Sequence, residues 1–116
     1  MGKSKGTEQP KAAKTPDEQK IANMLGMAKR AGKLAVGCMA AEKAVAVNKV
    51  QGVLIAKDAA GATTKNCAKK IEAAGIPLRV VLTGSRMGQA LGSDNDIVAV
   101  AVLDKGFWRE IEKQCE

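Results

Sequence analysis

The sequence predicts an α/β domain, a three-layer α/β/α sandwich around a small mixed sheet of about four strands. Helix-patterned segments alternate with short apolar segments along the chain, which is the order typical of layered α/β folds. Segment 97–103 is apolar at every position. Such a segment cannot be a strand with one solvated face, so we expect it at the centre of the sheet, covered on both sides. The length of 116 residues suits one domain.

The chain carries 19 Lys and Arg against 12 Asp and Glu, for a net charge of +7. Residues 1–14 have little to bury and are predicted to be a disordered basic tail, with a single domain over 15–116. Four lysines and one glutamate in this tail account for +3 of the +7, which leaves +4 on the domain. Basic domains attract nucleic acid or acidic membrane surfaces, but an excess this small does not identify either partner.

The first helix is predicted to begin with Thr15 as its N-cap and Pro16 at its first position. Glu18 would complete a capping box with Thr15. Apolar residues then recur at helical spacing, and Gly32 is expected to end the helix in the left-handed conformation.

The middle of the chain alternates strand and helix patterns. The predicted segments are an extended piece over 34–36 that ends at Gly37, an Ala-rich helix over 38–48, and a buried strand over 53–56. Thr63 or Thr64 is expected to cap a third helix, which Gly75 and Pro77 would end. Residues 60–65 follow a strand like a nucleotide-binding loop, but they lack the Walker spacing and are interpreted as a capped turn.

The last third is predicted to hold a strand over 78–82, a turn over 83–86 that leads into a short helix, and the strand over 97–103. Gly84, Gly88 and Gly92 recur at every fourth residue, which indicates close packing of that short helix. Asp104 is expected to cap a final helix.

Catalysis is not expected. The sequence has no His and no Tyr, and Asp94 and Asp96 lie in a Gly/Ser turn that such residues ordinarily shape. Cys38 begins a helix, but a cysteine hydrolase also needs a base, usually His. The cysteines Cys38, Cys67 and Cys115 are odd in number and widely spaced, which argues against a disulfide framework and a zinc site. We therefore expect a cytoplasmic protein that is not an enzyme, without metal, cofactor or small-molecule substrate.

No segment approaches the roughly 20 apolar residues that span a bilayer, and the N-terminus has no apolar signal-peptide core, so no membrane association is expected.

Two segments have features of phosphate binding. Residues 29–39 place three cations at the end of one helix and then deliver the N-terminus of the next, where free amides and the helix dipole favour phosphate. Lys43 lies one turn inside that second helix. Residues 83–88 also lead into a helix N-terminus. Taken singly, each segment is as well explained by solvated cations beside a loop.

The sequence also resembles a known family. The resemblance lies, in order, in 25–34, 36–37, 53–59, 75–77, 88–92 and 97–107, and it covers nearly everything after residue 14. Residues 25–34, followed by Val36 and Gly37, closely resemble the opening of the bacterial YlxQ family. That family belongs to the L7Ae/L30e ribosomal-protein superfamily, whose archetypes bind kink-turn RNA. The resemblance implies an α/β/α sandwich that grips RNA with two loops at one end.

In the superfamily, a Gly-x-Asn-Glu-x-x-Lys motif at the start of the second helix reads the sheared G·A pairs of a kink-turn. Gly37 and Lys43 match this motif, whereas Met39 and Ala40 stand at the Asn and Glu positions. Neither side chain can hydrogen-bond a guanine edge, so the resemblance implies phosphate and backbone contacts more than sequence readout. The second element, an apolar residue before a Ser-Lys/Arg-like turn, looks retained around residues 82–87.

We therefore expect a non-catalytic RNA-binding protein that recognises structured RNA of the ribosome or the translation apparatus. Met39 is expected to pack against a base or sugar. The scarcity of aromatic residues argues against single-strand binders that stack bases. The alternative is a protein–protein interaction module on the same scaffold that has lost kink-turn recognition. The expected RNA-binding residues are Lys33, Gly37, Cys38, Met39, Lys43, Gly84, Ser85, Arg86 and Met87.

Overall fold

A computed structural model describes residues 17–115. The predicted tail over 1–14 and the predicted cap at Thr15 lie outside these residues. In chain order the elements are α1 (Glu18–Arg30), β1 (Leu34–Val36), α2 (Cys38–Ala46), β2 (Gly52–Ile55), α3 (Ala62–Ala73), β3 (Leu78–Val80), α4 (Gly84–Ala90), β4 (Ala99–Val102) and α5 (Lys105–Cys115). The alternation of helices and strands that the sequence predicts is confirmed.

The four strands form one mixed sheet in the order β1-β4-β2-β3. β4 lies between β1 and β2 and is antiparallel to both, whereas β2 and β3 are parallel. All four residues of β4 are buried. The expectation that the apolar run forms the central strand is therefore confirmed, although the strand covers only Ala99–Val102.

Side chains alternate between the two faces of the sheet, as the pleat requires. On one face Leu54, Val100 and Val102 pack against α1, α4 and α5. On the other face the sheet packs against α2 and α3 through Val53 and Ile55 of β2 and the small side chains of β4, Ala99 and Ala101. These faces give the three predicted layers, with a larger core under three helices and a smaller core under two.

The helix ends correct two predictions and confirm three. Asp17, not Thr15, is the N-cap of α1, because its carboxylate accepts a hydrogen bond from Lys20 N at 3.2 Å. Gly61, not Thr63 or Thr64, is the N-cap of α3, and both threonines lie within the helix. The expected stops at Gly32 and Gly75 are confirmed by φ values of +71° and +79°. Asp104 Oδ2 accepts from Phe107 N at 2.9 Å, which confirms the cap of α5.

The glycines of α4 allow the helix to lie directly on the segment before β4. A Cβ atom on Gly88 would lie 2.4 Å from Asn95 O, and one on Gly84 would lie 3.2 Å from Asp96 Cβ. The predicted close packing of this helix is confirmed at these two positions. Gly92 instead has a φ of +70°, just after the end of the helix.

Within residues 17–115, no helix has the length and apolar character needed to cross a membrane.

Candidate nucleic-acid interface

Three helices begin at one edge of the sheet. β1, β2 and β3 all end there, because the register places Val36 beside Val100, and Ile55 beside both Ala99 and Val80. The connections into α2, α3 and α4 therefore emerge side by side. We call this edge, formed by residues 37–43, 57–61 and 82–86, the loop edge.

The segment that enters β4 holds the three connections together through its backbone. Gly37 N donates to Ala99 O at 2.8 Å, and Ala56 N donates to Val98 O at 2.9 Å. Ile97 N donates to the Gly84 carbonyl at 3.0 Å. Three consecutive residues of the most buried strand and its entry thus position the starts of two helices and the turn before a third.

The start of α2 depends on glycine. Gly37 has φ +96° and ψ 157°, a conformation that residues with a Cβ essentially do not adopt. Having no side chain, Gly37 also caps no amide, and no side chain caps this helix among the described residues. The first amides of α2 are therefore left without a side-chain acceptor, and the positive end of the helix dipole faces outward.

The predicted contacts on α2 lie on this end of the helix. Met39 is 74% exposed, an unusual state for a large apolar side chain. Lys43 is exposed one turn later and forms no ion pair with any described residue. Ala40 and Cys38 are half-buried.

Cys38 also covers a buried thiol. Cys67 of α3 is fully buried, and its thiol points at the Cys38 carbonyl with an Sγ–O distance of 3.8 Å. Burial, with a hydrogen-bonding contribution from Cys38, raises the pKa of Cys67 to about 12. Cys67 is therefore a packing residue beneath the start of α2, in an environment that favours its neutral thiol over the nucleophilic thiolate.

Lys33 does not join this group. Its carbonyl accepts from Leu103 N at 2.8 Å, at the far end of β1 and β4. The length of β1 separates Lys33 from Gly37 by roughly 13 Å. The sequence brings the two residues close along the chain, but the extended backbone between them places them at opposite edges of the sheet.

Of the four residues expected to bind RNA in the second loop, two have side chains at the surface and two are buried. Thr83 Oγ1 accepts from Arg86 N at 3.1 Å and caps α4. Ser85 is exposed, and Arg86 is half-buried with its guanidinium donating to Gln19 Oε1 at 3.2 Å. Gly84 is buried, and Met87 is 0% exposed within the core. Met87 therefore packs the helix in place and offers no side-chain atom to a ligand.

Leu82 gives this loop its shape, and the sequence did not indicate how. Leu82 is fully buried with a φ of +63°, which is unusual for a residue with a side chain and ends β3 before the predicted 82. Its N–H donates to Glu18 Oε2 at 3.1 Å, and its carbonyl accepts from Lys57 N at 2.7 Å. The Lys57 ammonium also lies 2.7 Å from Glu18 Oε2.

This network fixes the position of the loop relative to α1 and β2. The hydrogen bond from Lys57, with smaller contributions from the Leu82 amide and from charge, lowers the pKa of Glu18 below its usual 4.5. Asp58 adds a further tie, since its Oδ1 accepts from Gly84 N at 2.8 Å. The residues that hold the loop are thus far from it in sequence, beyond the reach of local patterns.

The loop edge therefore carries two groups of candidate contacts, one at the start of α2 and one at the start of α4. Among residues 17–115, no side chain caps the first amides of α2, and this helix start carries the exposed Met39 and Lys43, which forms no ion pair there. The start of α4 carries Ser85 and Arg86. Three inter-strand spacings separate β1 from β3, or roughly 14 Å. An interface of this width fits a folded macromolecular ligand better than a small anion.

These features define a class of protein, a small basic α/β/α sandwich that presents three helix starts at one sheet edge, with the predicted contacts at two of them. The sequence identifies the particular family. The chain belongs to the Ribosomal protein L7Ae/L30e/S12e/Gadd45 family, whose sequence model matches residues 19–112.

Solved structures share the fold. A protein of unknown function from Bacillus halodurans is 32% identical with a TM-score of 0.76, over 83% of this chain and 96% of that protein. The Giardia lamblia 15.5kD RNA binding protein is 16% identical with a TM-score of 0.67, over 91% of this chain and 89% of that protein. The second likeness is one of fold alone. The sequence matches no curated protein.

Replacing Glu18 tests whether the Glu18 network holds the second loop. Glu18→Ala leaves the buried Leu82 amide without an acceptor, so we expect the free energy of unfolding to fall by about 1–2 kcal/mol. Glu18→Gln keeps an acceptor oxygen and should cost less. Urea unfolding monitored by the fluorescence of Trp108, the single Trp of the chain, measures both.

The pH dependence separates the charge of Glu18 from its hydrogen bond. A lowered pKa in the folded state gives stability that is present above the usual value of 4.5 and is lost as the pH falls through the lowered value. The stability difference between wild type and Glu18→Gln should therefore shrink as the pH falls from 7 to about 3. Glu110→Gln, which removes an exposed ion pair with Lys113, is the matched control. A pH-independent difference between wild type and Glu18→Gln would contradict this account.

Proposed function

We propose that the protein is a non-catalytic RNA-binding protein that holds structured RNA against its loop edge. The proposal rests mainly on the start of α2, which no side chain of the described residues caps and beside which Lys43 pairs with none of them, on the scaffold of this family. Helix N-termini bind phosphate through their free amides and dipole. The fold neighbour from Giardia lamblia, an RNA binding protein, supports the same class of ligand.

Two groups of contacts grip the RNA in this proposal. Phosphates bind at the amides of α2 and at Lys43, while Ser85 and Arg86 bind the backbone some 14 Å away, roughly three strand spacings. Arg forms paired hydrogen bonds to phosphate and so fixes the orientation of the strand. Contacts at two separated points favour an RNA with a defined shape over an extended one.

Folded RNA also suits the lack of stacking platforms. The chain has one Phe and one Trp, and Phe107 and Trp108 both pack in the core beneath α5. Proteins that bind unpaired bases ordinarily stack them on exposed aromatic rings. The loop edge offers instead an exposed Met39, which can pack against a sugar or a base.

The resemblance to YlxQ proteins supports RNA of the ribosome or the translation apparatus as the target, and so does the presence of ribosomal proteins in the family. Such a target would place the protein in the cytoplasm. Recognition of the G·A pairs of a kink-turn does not follow from this choice of target. Met39 and Ala40 lack the polar groups that would pair with sheared G·A edges, so binding is proposed to depend on shape and phosphates with weak reading of those pairs.

The alternative is a protein-interaction module on the same scaffold, with kink-turn recognition lost. One observation favours it, namely the 74% exposure of Met39 at the tip of α2. Exposed methionines are common at surfaces that bind other proteins. Titrations with RNA separate the alternatives, since only the RNA-binding hypothesis requires affinity for RNA.

Salt dependence tests the phosphate contacts. For a kink-turn stem-loop used as probe, the Kd should rise at least several-fold between about 50 and 200 mM KCl. The reason is that lysine and arginine side chains release counterions from the RNA when they bind its phosphates, and this release is less favourable at high salt. Lys43→Ala should make the dependence shallower, whereas Lys69→Ala, at an exposed position on α3, should leave it nearly unchanged. Fluorescence anisotropy titrations give both slopes. A flat response in the wild type would argue against a phosphate-based interface.

Specificity tests the role of the α2 motif. Wild type should discriminate poorly between the kink-turn probe and the same RNA with its G·A pairs mutated. Met39→Asn combined with Ala40→Glu should raise discrimination by about 1–3 kcal/mol for each new hydrogen bond to a base edge, since Gly37 and Lys43 remain to position the RNA. Both proteins are titrated against both RNAs at one salt concentration. Strong wild-type preference for the intact kink-turn would contradict the side-chain argument, and no binding by either protein would favour the interaction module.

A further inference from the structure

A groove of about 610 Å³ runs between α1 and α4, away from the loop edge. α1 and α4 both begin at the loop edge, as shown by the contact of Glu18 with Leu82 and of Gly84 with Ile97. Both helices end at the opposite edge, where Lys29 Nζ donates to Leu91 O at 2.8 Å. The groove therefore begins where the proposed RNA contacts are and continues along the side of the molecule.

Small residues let the two helices approach closely and form the floor of this groove. A Cβ atom on Gly26 would lie 3.2 Å from the Ala90 carbonyl. Ala22 and Ala90 line the groove beside Gly26. With short side chains on the floor, long polar side chains on both helices form its walls.

The walls of the α1–α4 groove are basic. Arg86 stands at the loop-edge end and Arg30 at the other end, and no Asp or Glu of the described residues lines the groove. The Arg30 guanidinium reaches back to within 3.9 Å of the position of a Gly26 Cβ, over the floor. It forms no hydrogen bond or ion pair with a described residue. Glu18 lies beyond the Arg86 end, and its carboxylate is bonded to Lys57.

Carboxamides fill the space between the two guanidinium groups. Gln19 and Asn23 lie one turn apart on α1 and are joined by a hydrogen bond of 3.1 Å, and Gln89 faces them from α4. Each carboxamide offers both donors and acceptors. Such groups suit ribose hydroxyls and the edges of unpaired bases, while guanidinium groups suit phosphate.

An RNA strand carries phosphates, ribose hydroxyls and base edges along one chain, so it could contact the carboxamides and both guanidinium groups. A lone phosphate would engage only one guanidinium, because Arg86 is held at the level of Gln19 and the Arg30 head lies near Gly26, roughly 10 Å further along the helix. The groove is open along its length and can admit a strand from the side. Arg86 belongs to both the loop edge and the groove, so one strand can pass from the first to the second.

We propose that the α1–α4 groove is a second RNA-binding surface, which holds the sugar–phosphate backbone of a single strand as it leaves the structured RNA at the loop edge. This inference rests on the proposed function, since the structured part of the RNA must first bind at the loop edge. The groove then adds affinity for RNAs with a single-stranded flank and none for RNAs without one.

The test compares a kink-turn stem-loop with the same stem-loop extended at each end by about eight uridines, which is within the site size of single-strand binding domains. The extended RNA should bind wild type several-fold more tightly. Arg30→Gln and Gln89→Glu should each remove most of this added affinity, and Arg30→Gln should reduce the salt slope of the extended RNA by about 0.7. Both should leave the Kd of the plain stem-loop within about two-fold.

Arg109→Gln is the matched control, because it removes the same charge from an exposed position on α5. It should leave the added affinity of the extended RNA intact. Arg30 lies in the last turn of α1, where a cation also favours the helix dipole. Unfolding midpoints are therefore measured for every variant, and Gln89→Glu provides the test at the other helix if Arg30→Gln loses stability.

The outcomes distinguish the two proposals. If wild type binds the stem-loop and the extended RNA equally, or if the difference survives in Arg30→Gln and Gln89→Glu, the groove proposal is overturned. Equal losses for Arg30→Gln and Arg109→Gln would also overturn it, because general charge would then explain the effect. If wild type binds neither RNA, the proposed function itself fails.

Discussion

The arrangement of the loop edge depends on the entry of β4 into the centre of the sheet. Ile97, Val98 and Ala99 bond through their backbones to Gly84, Ala56 and Gly37, so a single short segment positions all three connections. Because both faces of β4 are buried, a slip of one residue would exchange the side chains of two differently sized cores. The packing that stabilises the core therefore also fixes the geometry of the loop edge.

Two local backbone conformations shape the loop edge. Gly37 adopts a conformation that leaves the first amides of α2 uncapped, and Leu82 adopts a left-handed conformation that turns the chain into α4. The first requires a residue without a side chain and is held by the hydrogen bond from Gly37 N to Ala99 O. The second is held by Glu18 and Lys57, which connect α1 and the end of β2 to the same loop. The start of α1 and the loop before α4 are thereby held together by the same contacts.

The sequence predicted what depends on local pattern and burial. The central strand followed from an uninterrupted apolar run, and the helix stop at Gly75 followed from glycine chemistry. Thr63 or Thr64 was expected to cap α3 because either side chain could do so, but Gly61 is the N-cap and has a backbone suited to the start of the helix. Met87 could not be placed from sequence, since which face of a seven-residue helix is buried depends on its packing partners. The position of Lys33 at the edge opposite Gly37 depends on the direction of β1 in the sheet, which local sequence pattern does not give.

In the proposed function, structured RNA binds at the loop edge through the starts of α2 and α4. Backbone amide chemical-shift changes, followed by NMR as a kink-turn stem-loop is added, test it most directly. If the RNA binds there, the largest changes should fall at residues 38–40 and 85–86, with smaller ones at 57–61 between them. Changes confined to the outer faces of α3 or α5, with the start of α2 unaffected, would contradict it.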